Sequence, residues 1–125
     1  MNLSRSFLLI GGLYLIVGMV LGSYMGGSGD HSLAPVHAHI NLLGFTLMTL
    51  FGLSYRVFPA LAEGWMGRAQ FFLHQIGTLV ALASLYLLLS GKAAEQAIGP
   101  VIGISEGLII LGAAIWLANL ARAAR

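Results

Sequence analysis

His37 and His39 stand two residues apart in Pro35-Val36-His37-Ala38-His39-Ile40-Asn41, near the start of an apolar run. Imidazole is the commonest metal ligand among side chains, and the one whose proton moves near neutral pH. Pro35 suits the first turn of a helix, where its missing N–H leaves no bond unmade. On that helix, residues two apart point about 200° from each other. The pair therefore cannot easily grip one compact ion; a zinc helix places its histidines four apart. Two imidazoles on opposite faces can serve two sites. Haem fits such sites, because neutral imidazole is a normal axial ligand and the ring is apolar. The plainer alternative is that one or both rings hydrogen-bond to a neighbouring helix.

Two more ionisable residues fall inside apolar runs, where each needs a partner or a function because burial in hydrocarbon is costly. His74 lies near the start of the third run and Glu106 near the middle of the fourth. Taking a ~30 Å core and a 1.5 Å rise, His74 is expected about 15 Å from His39 along the membrane normal. One iron shared by the two within a chain would be strained. His74 is kept as a third candidate ligand, but a hydrogen bond to another helix, with Gln70 or Gln75 nearby, is the preferred expectation. Glu106 is a candidate proton relay or a partner for a histidine. Its alternative is a neutral carboxyl making one interhelical hydrogen bond. His31 falls in a Gly-rich connector and is expected to be solvated. Lys92 is read as a solvated interfacial lysine, with pairing to a haem propionate as its functional alternative.

Four apolar runs must position these residues: 7–25, 35–54, 69–89 and 98–120. Each approaches the ~20 residues that cross a bilayer core. The chain is 58% apolar and 8% charged, against roughly 25% charged for a soluble domain. The expected fold is an all-α integral membrane bundle of four helices, a single domain over residues 1–125. The first run is too long for a signal core and no Ala-x-Ala site follows, so it is expected to stay as a helix. No basic patch with interleaved aromatics is present, which argues against nucleic acid. The absence of cysteine excludes disulfides, thiolate metal sites and Cys-linked haem. Arg5, Arg56, Arg68, Arg122 and Arg125 fall on one side of a four-span layout, and Lys92 alone on the other. The positive-inside rule then puts both termini in the cytoplasm. Gly18 and Gly22, and Gly99, Gly103 and Gly107, form small-residue rows that permit close helix contact, within one bundle or between copies.

Residues 35–78 carry a resemblance. His37-Ala38-His39-Ile40-Asn41-Leu42-Leu43-Gly44-Phe45, running on to Leu53-Ser54-Tyr55-Arg56-Val57-Phe58-Pro59, resembles a signature of the haem–copper oxidase superfamily. The likeness is to the catalytic subunit, especially its nitric oxide reductase relatives. There a His followed by Thr-Asn-Leu-Leu opens the second helix and ligates the low-spin haem. Gly67-Arg68-Ala69-Gln70-Phe71-Phe72-Leu73-His74-Gln75-Ile76-Gly77 is similar to the start of the third helix. The family's subunit has twelve helices in three arcs of four, and the second helix of another arc carries a His-x-His pair. One of those His completes the low-spin haem and the other holds the second haem. The resemblance implies that three copies of this four-helix chain would mimic the large subunit. It implies haem b between protomers, with His37 from one copy and His39 from the next, and Asn41 in support. The chain departs from the family in lacking an adjacent His-His pair and a His with a helically spaced Tyr, so no copper site is expected.

Bis-His ligation leaves no open iron position, which favours electron transfer, with a quinone or another respiratory donor as partner. The expected home is the bacterial inner membrane. Two other readings stand beside this one. One is a haem-dependent oxygen or nitric oxide reductase. The other is a cofactor-free, proton-coupled transporter or assembly subunit.

Overall fold

A computed structural model describes residues 1–123; Arg125, counted above in the charge pattern, lies outside the described residues. The chain forms α1 (Leu3–Ser28), α2 (Ala34–Val57), α3 (Met66–Leu89) and α4 (Glu95–Ala123). A 3-10 turn, Pro59–Ala62, joins α2 to α3. All four helices are long and apolar enough to cross a membrane, and no strand occurs among the described residues. Each helix outruns its apolar stretch by several residues. Hydropathy marks only the part in hydrocarbon, while helical hydrogen bonding continues through polar residues to the next capping group.

Those caps are visible. The Asn2 side chain accepts from the Arg5 N–H at 3.0 Å and starts α1. Gly29 ends it in the left-handed region at φ 73°, donating its N–H to Met25. Only glycine adopts that conformation without strain. Gly91, at φ 75°, follows the end of α3 in the same way. In the α1–α2 connection the Asp30 carboxylate accepts from the Ser32 N–H at 3.0 Å.

Helix α2 is not uniform. Its middle, Ile40–Thr46, is π-helical. Leu47 donates to the carbonyl of Leu42, five residues back. Such segments widen the helix and release backbone groups to other partners. Gly44 lies within it, and a Cβ there would come 2.5–2.7 Å from Tyr14 ring atoms. A bulkier residue would push α1 off α2.

Two antiparallel hairpins make the bundle: α1 lies along α2, and α3 along α4. The contacts between hairpins run mainly through α3. Near the chain termini an aromatic core joins them. Phe7 meets Phe51 at 5.6 Å and Phe71 edge-on at 4.9 Å between ring centroids. Trp116 of α4 donates to Ser54 of α2 at 3.0 Å. Asn119 donates to the Leu61 carbonyl at 2.8 Å. Toward the hairpin loops the core thins to Val36, Ile40 and Leu82 with flanking leucines.

The outer surface is apolar. Leu13, Val20, Ile104 and Ile110 are each more than 60% exposed. A soluble monomer does not show apolar patches on every helix, whereas lipid covers them without cost. The chain is a membrane protein. The two glycine rows behave differently. Gly18 and Gly22 are filled within the chain, by Asn41 with Ile40 and by His37. Gly99, Gly103 and Gly107 meet nothing within 4 Å of an added Cβ. Helix α4 instead turns Ser105, Ile109 and Gly112 toward α3.

Candidate functional site

Pro35 near the start of α2 does more than begin a helix. Its carbonyl lies 2.7 Å from Nδ1 of His39, one turn on. A carbonyl can only accept, so the proton sits on Nδ1 and donates to Pro35. In the neutral ring Nε2 then carries the lone pair. This is the arrangement by which metal-binding histidines are oriented and made basic. The His39 ring is exposed on the surface of α2.

That ring borders a cleft of about 380 Å³ between α2, α3 and α4. Leu42 and Leu43 continue the α2 wall, Ala81 and Leu85 form the floor, and Ile102 and Glu106 stand on α4. His39 and Glu106 carry the only ionisable side chains of this lining. The cleft exists because α2 and α4 meet at Trp116 and Ser54, near the termini, but are held apart toward the hairpin loops. The sequence made Glu106 a candidate partner for a histidine but did not say which; the fold brings it to the same cleft as His39, 67 positions away.

His37 points the other way, as the two-residue spacing implies. It is half-buried against α1, where a Cβ on Gly22 would come 2.9 Å from its Cε1. The Asn41 amide Nδ2 lies 3.3 Å from its Nε2. Asn41 thus supports His37 and not His39. It rests over Gly18, close enough that no side chain would fit between. His37 Nδ1 and Asn41 Oδ1 are both buried with no partner. One chain therefore holds its two α2 histidines in separate environments.

His74 is fully buried. Its Nε2–H donates to the Leu43 carbonyl at 2.9 Å, and the Thr78 hydroxyl lies 3.3 Å from the same nitrogen. Phe51 packs edge-on against the ring at 5.1 Å. Leu43 belongs to the π-helical segment, where the widened ladder frees carbonyls. His74 supplies such a donor from α3. The bond reaches α2 only four residues, about 6 Å, beyond His39, and not the ~15 Å expected from taking the ends of the apolar runs as the membrane faces; even so, the His74 ring does not line the cleft. The neighbouring amides are also engaged. Gln70 accepts from Tyr55 at 3.0 Å, and Gln75 donates to Met48 Sδ at 3.4 Å.

His74→Leu is expected to lower stability by about 1–3 kcal/mol, because the Leu43 carbonyl is left buried without its donor. Thermal unfolding in detergent measures this. The same variant is expected to keep whatever cofactor the native protein carries.

Among the described residues no group of three or more His, Cys, Asp or Glu could hold a bare metal ion. Haem makes no such demand, since its own nitrogens fill four positions and the protein supplies one or two. The donor set fits it: an oriented neutral imidazole on an apolar wall. No protein-family model matches this chain, nor does any curated protein or solved structure.

Proposed function

We propose that this chain is a haem b-binding membrane protein that carries electrons, with His39 at the cleft as the residue that would hold the haem iron. The observation that carries the reading is the 2.7 Å bond from His39 Nδ1 to the Pro35 carbonyl, which in the neutral ring turns the Nε2 lone pair to the outside, on the rim of an apolar cleft. Bound haem would supply one-electron iron chemistry. The chain's own contributions are distinct. Pro35 fixes the His39 tautomer. Leu42, Leu43 and Leu85 keep water from the cleft. Glu106 places the cleft's one carboxyl on the α4 wall, as the candidate proton relay.

No second histidine lines the cleft. In this reading His37 of a neighbouring copy completes the ligation, its ring turning out from α1 and its Nε2 released by Asn41, in a homotrimer with its termini in the cytoplasm of a bacterium. The resemblance to the haem–copper oxidase large subunit supports that arrangement. So does the divergence of His37 and His39 on α2. The electron donor would be a quinone or another respiratory partner.

A single histidine and a carboxyl on one cleft favour one other reading: His39 alone would hold the haem and Glu106 would supply protons, as oxygen or nitric oxide reduction requires. Absorption spectra separate the two. The protein is purified in detergent from haem-supplemented cells and measured oxidised, reduced, and reduced under carbon monoxide. Sharp low-spin bands that ignore carbon monoxide are expected. A carbon monoxide shift would favour the reductase. A colourless protein would sink both and leave the proton-coupled transporter or assembly subunit.

A further inference from the structure

On the side of α2 away from the cleft, the two hairpins part again and leave a groove of about 890 Å³ between α1 and α3. We propose that this groove binds a phospholipid with an anionic head group, its head at the loop end beside Lys92 and one acyl chain lying along the groove. The inference does not depend on the haem reading.

The walls are almost wholly apolar. Val17 and Val20 line the α1 side, Val36 and Ile40 of α2 form the floor, and Leu79 and Ala83 line the α3 side. Along α1 the groove runs from Ile10 to Tyr24, which is about 21 Å at 1.5 Å per residue. One leaflet of a ~30 Å core is about 15 Å deep. The groove therefore takes a single leaflet's acyl chain at full depth.

Apart from Tyr14 midway along α1, its polar groups gather at one end. Tyr24 and Tyr86 line the groove in the last turns of α1 and α3. The Lys92 ammonium donates to the Tyr86 hydroxyl at 2.8 Å and lies 4.9 Å from the ring centroid. Lys92 is the one lysine of the sequence, and the described arginines, Arg5, Arg56, Arg68 and Arg122, belong to the other end. Tyrosine and lysine together at the head-group level suit a phosphate, which takes a hydrogen bond from each. Lys92, Asp30 and Glu95 all lie outside the groove lining, but only Lys92 is bonded to a residue of it, Tyr86.

A second copy of the chain is the competing occupant. Close helix docking in a membrane needs small residues on the contact face. The groove offers only Ala83, among branched and aromatic side chains. The open small-residue row lies elsewhere, on α4.

Native mass spectrometry of the full chain tests the proposal, with phosphatidylglycerol and phosphatidylcholine of matched acyl chains added in equal amounts. Phosphatidylglycerol should be retained about five-fold more, the effect of one lysine on an anionic lipid. Lys92→Gln should erase that preference. Ala83→Trp, which fills the groove, should reduce retention of both lipids while circular dichroism confirms unchanged helix content. Equal retention of both lipids by the native chain would overturn the proposal, as would a preference that survives Lys92→Gln. Because the chain has no cysteine, Val17→Cys reports on the rival. Its quantitative disulfide dimerisation in native membranes would put a second copy in the groove and overturn the lipid.

Discussion

His39→Ala is expected to remove all haem absorption from the purified protein while changing the thermal stability of the haem-free chain by no more than about 0.5 kcal/mol. The ring is exposed, and its one hydrogen bond runs to the carbonyl of its own preceding turn. Little packing is therefore lost. His37→Ala should behave differently. It empties the space beside Gly22 and leaves Asn41 without its ring partner. A stability loss of about 1–3 kcal/mol follows from the unpaired buried amide. If the second ligand comes from a neighbouring copy, this variant also loses haem.

Co-expression of the two variants then gives a sharper result. In a head-to-tail ring each site joins His39 of one copy to His37 of the next. Equal mixing should restore about a quarter of the native haem, since half the copies retain each histidine. Haem held within single chains predicts none. Retention of full absorption by His37→Ala alone would point to single-histidine ligation and the reductase reading.

The second large effect is on the fold. Gly77→Val should lower the thermal midpoint by an amount equivalent to about 3 kcal/mol, the upper range for overpacking. A Cβ at Gly77 would lie 2.8 Å from Ile109 Cγ1, 2.9 Å from the Ser105 carbonyl and 3.2 Å from the Ile109 nitrogen. Two of these atoms are backbone and cannot swing aside. Helices α3 and α4 must separate, and the cleft wall that Leu82 and Ile109 form moves with them. Haem should be lost as well. Gly99→Val is the control, because an added Cβ there meets nothing within 4 Å. It carries the same change in helix propensity but should leave the single chain's packing intact. Loss of oligomers in Gly99→Val, seen by light scattering in detergent, would place the α4 glycine row between copies. An unchanged midpoint for Gly77→Val would contradict the close α3–α4 packing.

Much of this was legible before any fold was known. Four runs without charge have to become helices in a bilayer, because hydrocarbon offers no partner to an unpaired backbone group. Their order and approximate bounds follow from that alone. The opposed directions of His37 and His39 follow from 3.6 residues per turn. The preference for His74 bonding to another helix followed from the cost of an unpaired polar group, and its donor meets the Leu43 carbonyl.

Other features required the tertiary structure. Sequence periodicity assumes a regular helix, so it could not reveal the π-helical turn at Ile40–Thr46. It also could not separate a glycine row that packs from one that does not. Gly18 and Gly22 receive Asn41 and His37, while Gly99 and its row receive nothing within the chain. Asn41 was expected to support both histidines but reaches only His37. The meeting of His39 with Glu106 in one cleft depends on where α4 leaves α2, which the Trp116–Ser54 contact decides. The sequence determined which residues must be helical and which must find partners, because those constraints act along the chain. The partners themselves were decided by how two hairpins cross, because that angle comes from side chains packing across helices and not from any one of them.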